Sequence, residues 1–279
     1  MLGDNMTVIE FKNVNFGYTE SRIVLHDVNL VMDKPGLYCI LGPNGVGKST
    51  IVKCINKINE PLSGDVFLDG QNLKDMELKD ISQKVTFVPA HQTDAFSMSV
   101  LDTILVGRYN KSKWGSKQND IKKVFETMKL LHIEDLAYRK YNELSAGQHQ
   151  KVTIARGLVQ ETPVLILDEP TANLDVQYQV YVTEMLRAIA EKRNMIILMI
   201  SHDLNITAKY AHYVIMLARP GYIYKTGKPE DILNPETIEK VYSIKSRVIP
   251  DKVSSSKTGT CLEVSHVILD EAIMTEETY

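Results

Sequence analysis

The spacing of apolar residues changes period several times along the chain, and each change predicts an element. Thr7–Phe11 and Arg22–Val31 alternate or carry β-branched residues and predict two strands of a small sheet. FGYTES between them (16–21) reads as a turn segment presenting Tyr18. Leu37–Leu41 is continuously apolar, and Thr50–Lys57 is helix-compatible. Pro61–Gly64 reads as a turn, Asp65–Leu68 as a strand, Asp69-Gly70 as a hairpin turn, and Val85–Val88 as a short strand stopped by Pro89. The pattern then becomes helical. Ile121, Val124, Phe125 and Met128 form an i, i+3, i+4, i+7 stripe, Val100–Val106 is helix-compatible, and Trp114 falls on a loop. This block, about residues 94–160, predicts a helical insertion. Period returns to that of strands at Val164–Leu167 and Met195–Ile200, with an amphipathic helix through Val182, Met185, Leu186 and Ile189 between them. Shorter strands follow near Tyr213–Leu217 and Tyr222–Lys225. Strands alternating with helices predict an α/β fold with a largely parallel sheet, whose ligands lie at the strands' carboxyl ends. Residues 1–250 read as one domain and 251–279 as a C-terminal tail, opened by the linker-like KVSSSKTGT.

Composition narrows the class. The 279 residues are 44% apolar and 24% charged, enough for a packed core. A net charge of −3 argues against a broad nucleic-acid footprint, so no nucleic-acid partner is expected, and basic Lys111–Lys117 reads as solvated surface. Cys39, Cys54 and Cys261 are too scattered for a disulfide framework or a zinc site, which suits a reduced, cytoplasmic setting. No signal peptide is expected from the first residues, and the longest apolar run, Met195–Ile200, is too short to span a bilayer. Any membrane-spanning part must be supplied by other chains.

Three segments carry chemistry. GPNGVGKST comprises Gly42, Pro43, Asn44, Gly45, Val46, Gly47, Lys48, Ser49 and Thr50, between a strand and a helix. It fits G-x-x-x-x-G-K-[ST]: glycines let successive N–H groups face one anion, and the helix adds its positive end. Lys48 can reach terminal phosphates, and the Ser49 hydroxyl can ligate Mg²⁺. VLILDEP ends a buried strand in Asp168 and Glu169; alone it would be an acidic turn. Beside a phosphate loop, the pair suits a Mg²⁺-associated aspartate and a water-polarising glutamate. In LSAGQ, Ser145 can cap a helix whose first turn is kept open by Ala146 and Gly147 before Gln148, a second bare N-terminus able to meet an anion.

The order GPNGVGKST, LSAGQ, VLILDEP, TANLD, ISHD resembles the ATP-binding-cassette ATPases over roughly Thr7 to Ile249. The resemblance implies a P-loop NTPase core with a largely parallel sheet, a small N-terminal antiparallel β subdomain and an inserted helical subdomain. It further implies a head-to-tail homodimer holding two ATP molecules, each between one subunit's phosphate loop and the other's LSAGQ. Carried onto this chain, Tyr18 would stack on adenine, Lys48 would hold the phosphates, and Ser49 and Asp168 would hold Mg²⁺. Glu169 would be the general base, Asp175 would communicate across the dimer, and His202 would contact the γ-phosphate and orient the attacking water. The remaining histidines (His26, His91, His132, His149, His212, His266) have no ligand spacing and are assigned to no metal.

Two departures stand out. The family's V-P-Q segment is VPAHQ here, so Ala90 occupies the glutamine position and Gln92, two residues on, is the candidate metal sensor. Gly157 interrupts the helix after LSAGQ, a cost of about 1 kcal/mol in helix propensity that close packing would explain. SVLDTILVGRY (99–109) and GKPEDILNPETIEKVYSI (227–244) most resemble the cassettes of importers for iron–siderophore complexes, haem and cobalamin. The implied protein is the ATPase subunit of such an importer, lying peripherally on the inner face of the cell membrane. Its permease would dock near Ala90–Ser97, and a substrate-binding protein would act at one remove. The alternative is a soluble cassette serving cofactor assembly or ATP-dependent regulation without a permease, which the altered VPAHQ favours. A DNA- or ribosome-associated cassette would carry long coiled coils or a second cassette, and this chain has neither.

Overall fold

The computed structural model describes residues 7–19, 21–90, 98–109, 111, 117–172, 174–254 and 261–273. The N-terminal alternation becomes two long antiparallel strands, β1 (Ile9–Thr19) and β2 (Arg22–Met32). β1 therefore runs through Phe16–Thr19: Gly17 pairs with Ile23 and Thr19 with Arg22, so the expected turn segment is strand up to the reversal itself. Next come β3 (Gly36–Leu41), α1 (Lys48–Ile55), β4 (Ser63–Leu68) and β5 (Gln71–Asn72). Asp69 and Gly70, both at positive φ (53° and 78°), make the predicted turn between β4 and β5. α2 (Leu78–Lys84), which lacked a strong stripe, leads into β6 (Val85–Val88).

The insertion holds α3 (Val100–Leu105), α4 (Lys117–Leu131) and α5 (Ala146–Leu158). Val124 and Met128, from the predicted stripe, are fully buried with Val100 and Ile104. Arg108, 7% exposed at its side chain, ties the three helices: Nε donates to Asp120 on α4, and Nη1 donates to the Val159 carbonyl and Glu161 beyond α5, each at 2.9 Å. A Cβ on Gly157 would stand 2.9 Å from Val88 Cγ2 and 3.1 Å from Leu165 Cδ1, so the glycine lets α5 lie directly on β6 and the strand that follows.

The remaining elements are β7 (Val164–Leu167), α6 (Val176–Arg193), β8 (Ile196–Ile200), α7 (Leu204–Tyr210), β9 (Tyr213–Ala218), β10 (Tyr222–Gly227), α8 (Pro229–Ile232), α9 (Pro235–Tyr242), β11 (Ile244–Ser254) and β12 (Cys261–Ala272). The central sheet has the order β10-β9-β3-β8-β7-β6, parallel from β9 to β6 with β10 antiparallel at one edge. A separate antiparallel sheet is ordered β2-β1-β4-β5. The apolar runs are continuous because both faces of the central sheet are covered. On β3, Leu37, Cys39 and Leu41 join a core shared with the helical insertion and α6, while Tyr38 and Ile40 join a core shared with α1 and the antiparallel sheet.

The C-terminal expectation needs correction. β11 and β12 pair in antiparallel register from Ile244↔Ala272 to Ser254↔Cys261, so a boundary at 250/251 cuts a strand, and the first part of KVSSSKTGT belongs to it. The ribbon's first strand interleaves apolar residues with charged and hydroxyl ones and runs into KVSSSKTGT, which is why its sequence resembles a linker. It is anchored by Val267, 5% exposed and part of the larger core.

Candidate functional site

β3 delivers the chain to the loop 42–47, and α1 begins at Lys48. The residue before the helix, Gly47, has φ 100° and ψ 14°, and a Cβ there would lie 2.6 Å from Leu25 Cδ2, so both backbone and space require glycine. No side chain caps α1, which leaves its first N–H groups to an anion. Lys48 is 6% exposed, and its Nζ donates to the carbonyls of Gly42 at 2.7 Å and Pro43 at 2.9 Å. Burial pushes the Lys48 pKa down, opposed by the carboxylates of Glu169 and Asp168. The ammonium is thus held at the loop by neutral acceptors, for which a phosphate can compete.

The ends of β7 and β8 supply the polar face opposite. The Asp168 N–H continues the ladder by donating to Val88 O at 2.9 Å, and its side chain accepts from Ser49 Oγ at 3.2 Å. Burial raises the Asp168 pKa, while the Ser49 bond opposes. The next residue, Glu169, turns into the left-handed region at φ 50°, and its Oε1 lies 2.8 Å from His202 Nε2. Non-glycine residues there carry strain of about 1–3 kcal/mol, which the surrounding structure must offset. His202 leaves β8 just after Ser201, whose N–H donates to Ile40 O at 3.1 Å. Asp203 follows and caps α7 by accepting from the Ile206 N–H at 2.8 Å. The histidine is therefore fixed between a strand end and a helix start. A cavity of about 540 Å³ opens beside Glu169 and His202, lined also by Thr171, Gln179, Asn205 and Tyr242.

LSAGQ forms a capping box: the Gln148 N–H donates to Ser145 Oγ at 3.4 Å and the Ser145 N–H to Gln148 Oε1 at 3.0 Å. Gly147 lies against the Tyr178 ring, which a Cβ would approach to 2.9 Å. Tyr178 in turn donates its N–H to Asp175, the cap of α6, at 2.9 Å, so LSAGQ and TANLD adjoin within one chain. Sequence reading overlooked Gln179: its Nε2 donates to the carbonyls of Leu174 at 3.1 Å and Thr171 at 3.4 Å, pinning the TANLD loop. Its position, four residues after the capping aspartate, was the available signal. Tyr18 is 57% exposed and meets Phe16 edge-on at 5.2 Å. Ala90 is exposed after Pro89, while Gln92 and Trp114 lie outside the described residues.

Ser49 and Asp168 form a convergent hydroxyl–carboxylate pair, the hard oxygen donors that suit Mg²⁺ alongside phosphate oxygens and water. Among the described residues no group of three or more His, Cys, Asp or Glu could hold a metal.

A glycine-rich loop opening a helix, faced by a hydroxyl–carboxylate pair at the carboxyl edge of a parallel sheet, defines a P-loop ATPase. The chain belongs to the ABC transporter family, whose profile matches residues 25–172. It is 39% identical over 240 residues to an uncharacterized ABC transporter ATP-binding protein of Methanocaldococcus jannaschii, covering 86% of this chain and 93% of that one. It is 30% identical to the iron(3+)-hydroxamate import ATP-binding protein FhuC of Bacillus subtilis, covering 88% and 91% of the two chains. Among solved structures it resembles CbiO1 of Clostridium perfringens, part of the ABC transporter complex CbiONQ, with a TM-score of 0.74, 28% identity and coverage of 82% and 92%. Among the described residues no helix is long and apolar enough to cross a membrane.

Proposed function

We propose that this chain is the ATP-hydrolysing subunit that powers a membrane importer of metal chelates of the iron–siderophore, haem or cobalamin kind. The observation that carries the reading is the pairing of Glu169 with His202 at 2.8 Å, one strand end away from the Ser49–Asp168 pair. Lys48 and the N–H groups of α1 hold the phosphates, Tyr18 stacks on the adenine, and Ser49 with Asp168 holds Mg²⁺. When bound, Mg²⁺ offsets phosphate charge. Glu169 accepts a proton from the attacking water, and His202 orients that water and contacts the γ-phosphate. Catalysis is positioning and electrostatics, with no covalent intermediate.

Ser145 and Gly147 meet the ATP of a second copy, so two chains form two composite sites with twofold symmetry, and Asp175 lies where the copies communicate. Closure on ATP and reopening after hydrolysis move a permease docked near residues 90–97. The cassette then lies peripherally on the cytoplasmic face, and a substrate-binding protein delivers the cargo. Likeness to the hydroxamate-import protein supports the cargo class.

The test is Glu169→Gln. The amide keeps size and loses basicity, so hydrolysis should fall by about 10²–10⁴ while nucleotide affinity holds, and MgATP should trap a dimer on gel filtration. Unimpaired turnover overturns the role of Glu169. Purification from detergent-solubilised membranes tests the partner: hydrophobic chains co-purifying stoichiometrically support the importer, and their absence favours a cassette without a permease.

A further inference from the structure

The C-terminal ribbon is tied to the site through α7. Val267 on β12 donates its N–H to Asn205 Oδ1 at 2.8 Å, and its carbonyl accepts from Asn205 Nδ2 at 3.2 Å. One side chain thus satisfies both backbone groups of a strand residue that is 5% exposed. Asn205 stands in the first turn of α7, three residues after His202, and that turn is locked by the Asp203 cap. Tyr242, the last residue of α9, lines the cavity beside Glu169 and His202. Burial pushes its phenol up to about 12, opposed by a hydrogen bond with the Gly42 backbone. Gly42 also supplies one of the carbonyls that hold Lys48. The cavity of about 540 Å³ is lined by Glu169 and His202 together with Asn205 and the ribbon residues Ile244, Val267 and Leu269.

We infer that Asn205 is a positioning residue for hydrolysis: it clamps the β11–β12 ribbon to α7 and so sets where His202 stands relative to Glu169. The inference rests on the ATPase reading. α7 is only seven residues long, and its outer side is held by the ribbon, so the His202 loop inherits its position from a contact that sequence places more than sixty residues away. The clamp touches neither phosphate nor metal donors, so its loss should leave binding alone and slow the step that needs His202 aligned.

The test uses the full chain with Asn205→Ala and the milder Asn205→Asp, which keeps the acceptor for the Val267 N–H and loses the donor. The Val267 amide should exchange faster with solvent in Asn205→Ala. The turnover number should fall about three- to thirtyfold, KM for MgATP and Kd for a non-hydrolysable ATP analogue should stay within about twofold, and Asn205→Asp should lie between. In a His202→Ala background, measured by single-turnover hydrolysis, Asn205→Ala should add nothing. Full turnover with a freely exchanging Val267 amide overturns the inference, as does unchanged Val267 exchange. A parallel loss of affinity, turnover and thermal stability, or a further full-sized loss in the His202→Ala background, also overturns it. The unsubstituted chain is assayed first: if it does not hydrolyse ATP, the ATPase reading itself fails and the inference falls with it.

Discussion

His212 shows how much a single side chain can decide away from the site. Its Nδ1 accepts from the Leu37 N–H at 2.9 Å, and its Nε2 faces Glu191 Oε1 at 2.9 Å, so a neutral ring joins β3 to α6. Burial lowers its pKa, Arg187 lowers it further, and Glu191 opposes. Because the folded pKa lies below the unfolded value near 6.5, the native state binds fewer protons than the unfolded state in that window. The stability contributed by neutral His212 is complete above about pH 6.5 and is lost as pH falls toward the folded pKa. Thermal midpoints measured from pH 7.5 to 5.5 should therefore fall more steeply for the native chain than for His212→Gln; parallel curves would sink the argument. The sequence did not single out this role, nor that of Gln179, because each depends on a partner in another element. Lys48, Ser49, Asp168, Glu169 and His202 were found readily for the opposite reason. Each sits in a contiguous segment whose residue types are set by local geometry, although the left-handed backbone of Glu169 could not be read there.

At the scale of elements, Arg108 is the joint of the helical insertion. Replacing it with methionine leaves Asp120 buried without that partner, and breaking such a pair costs about 3–5 kcal/mol. Urea unfolding of Arg108→Met should show a loss of that size, and Arg108→Met with Asp120→Leu should recover much of it, since an apolar pair of similar volume removes the buried charge. A loss under about 1 kcal/mol would mean that the network is solvated and contributes little. The α4 stripe was legible because its apolar spacing is regular over two turns. The β11–β12 ribbon was not: its apolar residues are mixed with polar ones and, among those described, only Val267 is buried, so no core-facing pattern marks it as strand. α2 and α7 failed for a related reason, being seven residues each and fixed by their neighbours rather than by a long stripe.

For the whole molecule, the composite-site reading has a direct test. A Lys48→Ala subunit mixed with a Ser145→Arg subunit yields heterodimers in which one site carries both defects and the other carries neither. Partial ATPase activity should return although each variant alone is inactive; no recovery with heterodimers confirmed by mass would count against sites shared between copies. Gly147 is the poorer choice for the second variant, because any side chain there first strikes Tyr178 of its own subunit. The overall α/β architecture was legible from strand–helix alternation, whereas strand order was not, since β3 pairs with β8 and β9 across most of the chain. That central placement has a further effect. Ile40 and Leu41 are consecutive, yet they face two cores separated by the sheet. Truncating Ile40 to Val and Leu41 to Ala should therefore give losses that sum within about 0.5 kcal/mol, whereas pairing Leu41→Ala with Met216→Ala, in the same core, should not. Along β3 the chain works as a party wall: adjoining residues keep separate accounts, and damage on one side stays there.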